Sequence, residues 1–216
     1  MKPEAVIFDL DGTLVDTLDD LTSAVNHALA SAGLPASTRT AVRANTGNGI
    51  RRLIAGSCPE GTEEKVELAV FEEFKRRYAE HDLDETAPYP GIVELLDALE
   101  AAGMRMAVVS NKADFAAQRI VEALLPGRFG AVLGERAPYA RKPAPDMVDA
   151  VLAALGATRE QAVYVGDSEV DAATAAACGI PCILCSWGFR DRDRLSSLEH
   201  IAVVDTPGEL IGAILG

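Results

Sequence analysis

Short apolar runs without clean polar alternation alternate with helical patterns along the chain, and this arrangement restricts the fold more than any other feature. Five such runs span residues 5–10, 104–109, 131–133, 162–165 and 181–185, and a sixth candidate spans 201–204. Strands that are apolar on both faces belong to parallel sheets covered by helices on either side. Helical patterns occupy residues 91–102, 113–125, 144–155 and 171–178. The sequence therefore predicts a doubly wound α/β fold whose ligand site lies beyond the carboxyl ends of the strands.

The interval 15–87 breaks the alternation, because it contains helical patterns and no convincing strand. Thr17 with Asp20 predicts a capping box for a helix that ends near Gly33, and a second helix is predicted over residues 62–78. We interpret residues 15–87 as an all-helical domain inserted after the first strand, serving as a lid over the site. Residues 1–14 and 88–216 then form the α/β core.

The net charge of −13 limits the possible partners. Nucleic acids and anionic membranes are held mainly by surplus Lys and Arg, so both are disfavoured. A small phosphorylated metabolite remains compatible, since a bound metal and one Lys can reverse the local field. The sequence contains no apolar run of the length that spans a membrane, and its first residues do not resemble a signal peptide. We expect a cytoplasmic protein that is a monomer or a dimer.

The segment Cys182-Ile183-Leu184-Cys185 has the spacing of a redox or zinc half-site. A second such pair is missing, and the segment reads as a buried strand, where free Cys behaves as a small apolar residue. Packing is therefore the preferred interpretation of these cysteines.

Two carboxylates follow the first apolar run in the segment Asp9-Leu10-Asp11-Gly12-Thr13. Residues two apart on a strand share a face, so Asp9 and Asp11 should converge, and Gly12 permits a sharp turn. A solvated strand end is the alternative interpretation. Two carboxylates this close repel each other, and a hard divalent cation between them would offset the repulsion. Mg²⁺ typically binds one or two carboxylates together with phosphate oxygens.

This segment resembles the D-x-D-G-T motif of the haloacid dehalogenase superfamily, in its phosphatase branch. Three further motifs of that family occur in order: Ser110-Asn111-Lys112, Lys142-Pro143 and Gly166-Asp167 with Asp171. The first of them follows the 104–109 run and is expected to open a helix, whose free N–H groups suit a phosphoryl oxygen. Pro143 is expected at the first helical position, which would fix Lys142 just before it. Considered singly, these two motifs read as an ordinary N-cap and an exposed Lys.

The resemblance implies a Rossmann-like three-layer core with an inserted helical cap, and a Mg²⁺-dependent phosphomonoester hydrolase. It implies Asp9 as nucleophile and Asp11 as proton donor and acceptor, with Asp11 reaching the metal through its backbone carbonyl. Asp9, Asp11 and Asp167 are the implied metal ligands, and Ser110, Asn111 and Lys142 are the implied phosphate ligands. Asp171 either supports the metal or forms a capping box with Ser168.

Several alternatives remain open at this stage. Dehalogenases of the family lack the second aspartate, so Asp11 argues against that branch. A sugar phosphomutase uses both aspartates, and pyrophosphatase, sugar phosphatase and nucleotide phosphatase activities are further alternatives. A phosphate-binding protein without turnover would usually lack a catalytic group, and none is missing.

The passages at 9–19, 46–49, 89–91 and 109–112 look most like the phosphoglycolate phosphatase branch of the family. Substrate choice is expected to depend on the inserted domain, where Asn48 and Arg51 follow a glycine turn. Arg51 could pair with a substrate carboxylate. It could equally belong, with Arg52, to a solvated helix face.

Overall fold

The computed structural model describes residues 3–216, and these divide into two compact units. The core unit runs from the start of the described chain to Val15 and resumes over Pro88–Gly216. The helical unit comprises Asp16–Ala87. Among the described residues, no helix combines the length and apolar character needed to cross a membrane.

Eight strands are present in the described chain. In chain order they are β1 (Ala5–Phe8), β2 (Val15–Asp16), β3 (Ala87–Pro88), β4 (Arg105–Ala113), β5 (Ala131–Glu135), β6 (Ala162–Gly166), β7 (Cys182–Cys185) and β8 (Ala202–Val204). Six of them form one sheet in the order β5-β4-β1-β6-β7-β8, and β2 and β3 form a separate two-stranded sheet. Every strand pair of the large sheet is parallel. The predicted α/β fold is therefore confirmed.

Strand β1 lies at the centre of this sheet, and its side chains are fully buried. Ile7 is in register with Ala107 of β4 on one side and with Tyr164 of β6 on the other. Strands that follow β4 extend the sheet in one direction and those that follow β6 extend it in the other. The strand order therefore reverses at β1, which makes its carboxyl end the expected ligand position.

Ten α-helices are described. In chain order they are α1 (Leu18–Ser31), α2 (Arg39–Asn45), α3 (Ile50–Ser57), α4 (Glu64–His81), α5 (Ile92–Ala101), α6 (Asp114–Leu124), α7 (Asp146–Leu155), α8 (Glu169–Cys178), α9 (Arg192–Ser196) and α10 (Pro207–Leu215). The four predicted core helices correspond to α5 to α8, while α9 and α10 were not predicted. The apolar face of α5 is fully buried, as its spacing indicates.

The helical unit contains α1 to α4. Helices α1 and α4 pack against each other, and the buried face of α4 carries Val70, Phe74 and Tyr78. The rings of Phe74 and Tyr78 are stacked, with centroids 5.3 Å apart. The bounds of the short helices α2 and α3 were not predicted, because seven or eight residues give too few apolar repeats to show a period.

The predicted capping box of Thr17 and Asp20 is wrong. Thr17 precedes α1 but makes no capping hydrogen bond with its side chain. The buried carboxylate of Asp20 instead accepts the backbone N–H of Glu85, at 3.0 Å, and the N–H and hydroxyl of Thr86, at 2.9 and 2.7 Å. Three donors from a distant segment therefore replace the local contact that the sequence suggested.

Cys182 and Cys185 are buried in β7 and are free thiols. Burial raises the pKa of both thiols, which disfavours the reactive thiolate. The expectation of free cysteines in a buried strand is confirmed.

Candidate active site

The motif side chains gather at the carboxyl ends of three neighbouring strands. Asp9 and Asp11 follow β1, Ser110 to Lys112 end β4, and Asp167 follows β6. The turn after Asp11 is made by Gly12, whose φ of 85° is a left-handed conformation that glycine adopts without strain. Parallel strands bring these groups to one edge of the sheet, at the position where the strand order reverses.

Three carboxylates form a buried acidic cluster at this edge. One oxygen from each of Asp9, Asp167 and Asp171 lies within 4.8 Å of the others. Lys142 contacts two of them: its Nζ lies 2.9 Å from Asp9 Oδ1 and 2.8 Å from Asp171 Oδ1. The side chain of Lys142 is only 2% exposed, so its charge acts at low dielectric.

The protonation properties of the cluster follow from its charge and burial. Burial, with the charge of Asp171, raises the pKa of Asp9 to about 7 and that of Asp167 well above its ordinary value. Burial alone would lower the pKa of Lys142, but the charges of Asp171 and Asp9 outweigh it and raise that pKa. Lys142 contacts two of the three carboxylates, so a further cation at the cluster would favour the ionised forms of Asp9 and Asp167.

Asp171 differs from the other two because both of its oxygens are occupied. Oδ1 accepts from Lys142 at 2.8 Å and from the Tyr164 hydroxyl at 3.2 Å. Oδ2 accepts the backbone N–H groups of Asp167 and Ser168, at 3.2 and 3.1 Å, and the Ser168 hydroxyl at 2.6 Å. The predicted capping box with Ser168 is confirmed. Burial would raise the pKa of Asp171, yet these donors, led by the Lys142 charge, lower it.

Asp11 makes an ion pair that the sequence did not predict. Lys112 Nζ lies 2.9 Å from Asp11 Oδ1 and 3.2 Å from Oδ2, and the two side chains are 6% and 15% exposed. The sequence predicts no role for Lys112 beyond its position as the third residue of the Ser110 motif. The signal that could have identified it is the two-residue spacing from Ser110, which places both side chains on one face of a strand.

The Ser110 motif does not open a helix, so that expectation was wrong. Strand β4 continues through Ala113, with a register shift between Val109 and Ala113, and α6 begins at Asp114. Ser110 and Asn111 are both buried within the strand. The Ser110 hydroxyl accepts the backbone N–H of Lys112 at 3.2 Å. A helix N-terminus is therefore not supplied by these residues themselves.

The expected position of Pro143 was also wrong. Helix α7 begins at Asp146 and is preceded by Pro145, so Pro143 lies in the connecting segment. Lys142 is fixed differently: its backbone carbonyl accepts Asn111 Nδ2 at 3.2 Å, while its ammonium bonds the acidic cluster. Asn111 thus connects the Ser110 motif to the Lys142-Pro143 motif.

Asn48 and Arg51 belong to the helical unit. Asn48 lies half-buried in the turn between α2 and α3, flanked by Gly47 and Gly49 with φ of 108° and 81°. Arg51 is exposed on α3, and its guanidinium carbon lies 5.0 Å from the centre of the Phe71 ring. The contact described for Arg51 is therefore a cation–π contact inside the unit.

The acidic cluster fits a hard divalent cation by its donor set. Oxygen ligands from neighbouring carboxylates are what Mg²⁺ or Ca²⁺ sites provide. Asp9 and Asp167 are the candidate ligands of the cluster. Direct binding to Asp171 would require breaking hydrogen bonds that it already accepts, so its support of Lys142 and of the 167–168 turn explains it better.

Comparison with known proteins agrees with this geometry. The family model described as haloacid dehalogenase-like hydrolase matches residues 6–185. The chain belongs to this family and is therefore a hydrolase, as the sequence predicted.

Among curated relatives, a phosphoglycolate phosphatase of Rhodospirillum rubrum is 37% identical over 211 residues, covering 94% of this chain and 87% of that protein. The phosphoglycolate phosphatase of Caulobacter vibrioides is 38% identical over 192 residues, covering 86% of this chain and 80% of that protein. A crystal structure from Lactobacillus delbrueckii subsp. bulgaricus, provisionally assigned as a phosphoglycolate phosphatase, has a TM-score of 0.95 and 39% identity, with both chains fully covered. This chain is thus similar to phosphoglycolate phosphatases in both sequence and fold.

Proposed function

We propose that this chain is a Mg²⁺-dependent phosphoglycolate phosphatase, converting 2-phosphoglycolate and water to glycolate and phosphate. It is a phosphoric monoester hydrolase, and the reaction passes through an aspartyl-phosphate on Asp9. The observation that carries the proposal is the arrangement of Asp9, which contacts Lys142 at 2.9 Å and lies in a buried acidic cluster at the strand-order reversal. Similarity to phosphoglycolate phosphatases over 94% of the chain supports the choice of substrate.

In the first step, a carboxylate oxygen of Asp9 attacks phosphorus. The oxygen–phosphorus bond to glycolate breaks, and Asp11 gives its proton to the departing oxygen. Asp11 must leave the Lys112 ammonium to do this, since Lys112 contacts both of its carboxylate oxygens.

In the second step, water attacks phosphorus and the bond to Asp9 breaks. Asp11 accepts the proton of that water and so returns to its starting state. Lys142 offsets charge on the phosphoryl oxygens, and the Ser110 hydroxyl and Asn111 orient the group. Both residues are buried at the end of β4, which limits their movement.

Asp9, Asp167 and the backbone carbonyl of Asp11 would hold the Mg²⁺, and Asp171 would support the site through Lys142. The ion, when bound, neutralises oxygen charge on the phosphoryl group. The raised pKa of Asp9, about 7, makes the ionised nucleophile costly in the protein alone. A bound cation would favour the ionised carboxylate of Asp9, so binding the cation would also prepare Asp9 to act as the nucleophile.

A substrate panel tests the assignment. Purified protein is assayed by phosphate release with 2-phosphoglycolate, pyrophosphate, sugar phosphates and nucleoside monophosphates, in Mg²⁺ and in EDTA. We expect the highest kcat/KM for 2-phosphoglycolate and loss of activity in EDTA. A sugar phosphate isomerised with its phosphate conserved would instead identify a phosphomutase, and activity unaffected by EDTA would contradict the metal assignment.

A further inference from the structure

The segment Trp187–Arg190, which we call the 187–190 segment, contacts two sequence motifs without belonging to either. It follows β7 and precedes α9. The indole Nε1 of Trp187 donates to the Thr13 carbonyl at 3.0 Å. The backbone N–H of Phe189 donates to Asp167 Oδ2 at 2.6 Å. One short segment thus bonds both the D-x-D-G-T turn and a candidate metal ligand.

Asp167 Oδ2 is also enclosed between two glycines. A Cβ on Gly12 would overlap this oxygen, and a Cβ on Gly188 would overlap both this oxygen and the Gly12 carbonyl. The backbones therefore approach as closely as they do only because neither residue has a side chain. The carboxylate of Asp167 occupies the space that the two absent side chains leave, and turning away would break its bond to Phe189.

The segment is itself anchored at its far end. Arg190 Nε and Nη2 lie 2.8 and 3.2 Å from the two carboxylate oxygens of Glu169, the first residue of α8. Such a bidentate pair fixes orientation as well as distance. The Arg190 side chain is 11% exposed, so solvent screens this pair less than a fully exposed one. Glu169 is two residues from Asp167. The Phe189–Asp167 bond and the Arg190–Glu169 pair therefore both join the 187–190 segment to residues 167–169.

We infer that the 187–190 segment is a positioning element: it fixes the Asp167 carboxylate and the D-x-D-G-T turn relative to each other for binding a divalent cation. The inference rests on the proposed function for its effect on turnover, but not for its effect on cation binding. Partners that orient metal ligands typically change metal affinity or activity by about 10- to 100-fold when they are removed.

The test compares Gly188→Ala with Gly212→Ala, a matched control in α10 whose added Cβ would meet no atom within 4 Å. The Kd for Mg²⁺ is measured by calorimetry without substrate, together with kcat, KM and the melting temperature. Gly188→Ala is expected to weaken Mg²⁺ binding by about 10- to 100-fold and to lower kcat, whereas Gly212→Ala should stay within about twofold.

Trp187→Phe is the second variant, because it removes the indole N–H and keeps an aromatic ring. It should weaken Mg²⁺ binding by about fivefold, the loss of one hydrogen bond. The inference is overturned if a folded Gly188→Ala protein binds Mg²⁺ like the unmodified one. If Gly188→Ala does not fold, unchanged affinity in Trp187→Phe overturns it. Weakened Mg²⁺ binding in a protein that hydrolyses no phosphomonoester would refute the proposed function and leave this inference standing.

Discussion

Charged side chains are held in different ways in the two units. In the core unit, Lys142 and Asp171 are 2% and 0% exposed and belong to one hydrogen-bonded network. In the helical unit, typical ion pairs are exposed: the side chains of Lys75 and Glu72 are 49% and 59% exposed, and those of Arg39 and Asp19 are 52% and 58% exposed. Exposed pairs contribute little, whereas a buried network is costly to break. The chemistry therefore depends on the core unit, and changes in the two units should differ sharply in effect.

The largest expected effect is on turnover. Asp11→Asn removes the proton donor and acceptor but keeps the size of the side chain, and kcat should fall by about 10²- to 10⁴-fold. Stopped assays of phosphate release measure it. Asp149→Asn is the control, since Asp149 pairs with Arg159 at an exposed position of the core unit. An unchanged kcat in Asp11→Asn would refute the role of Asp11.

The next prediction concerns stability. Lys142→Met should lower the free energy of unfolding by about 3–5 kcal/mol, because Asp9 and Asp171 remain buried without their cation. Lys75→Met, the exposed counterpart, should change it by less than about 0.5 kcal/mol. Urea unfolding measures both at pH 8, where Asp9 of the unmodified protein is mainly ionised. An equal loss in the free energy of unfolding in Lys142→Met and Lys75→Met would contradict the proposed difference between buried and exposed ion pairs.

The third prediction is a pH dependence of metal binding. The folded-state pKa of Asp9 is about 7, above its ordinary value of 3.8, so protons compete with the cation up to about pH 7. Mg²⁺ affinity should rise from pH 5 to 7 by up to about tenfold per pH unit for each ligand that must lose a proton, and Asp167, whose pKa is also raised, contributes in the same direction. In the metal-free protein, stability changes in the opposite direction. Asp9 binds its proton more tightly in the folded protein than in the unfolded chain, so its contribution to the free energy of unfolding declines as the pH rises from about 4 to 7.

Calorimetry at several pH values measures the affinity, and urea unfolding without metal measures the stability. Asp9→Asn should make both profiles less steep, with the remaining slope due to Asp167. A Mg²⁺ affinity that is constant between pH 5 and 8 would show that Asp9 does not bind the cation.

The smallest effect is expected in the helical unit. If Arg51 pairs with a substrate carboxylate, Arg51→Ala should raise the KM for 2-phosphoglycolate by about fivefold and leave neutral phosphomonoesters unchanged. Arg52→Ala, an exposed neighbour on α3, is the control. An equal rise in KM for both substrate types would show that Arg51 acts through its contact with Phe71.

The sequence predicts local features of the molecule better than contacts between distant residues. Strand β1 and its two aspartates were predictable, because a run apolar on both faces and a D-x-D-G-T turn are local signals. The end of β4 was not predictable, because Ala113 stays in the strand by pairing with Glu135 of β5. The Lys112–Asp11 pair and the Asp20 contacts join residues 101 and 65 or 66 positions apart, which no local pattern encodes.

The most direct test of the central claim is to capture phosphate on Asp9. Protein mixed with radiolabelled substrate in Mg²⁺ is quenched in acid within one turnover, and the protein-bound label is measured. We predict label that hydroxylamine releases, less than about one phosphate per chain, and none in Asp9→Asn. Full phosphate release by the unmodified protein without bound label at any time, or equal labelling of Asp9→Asn, would contradict the account.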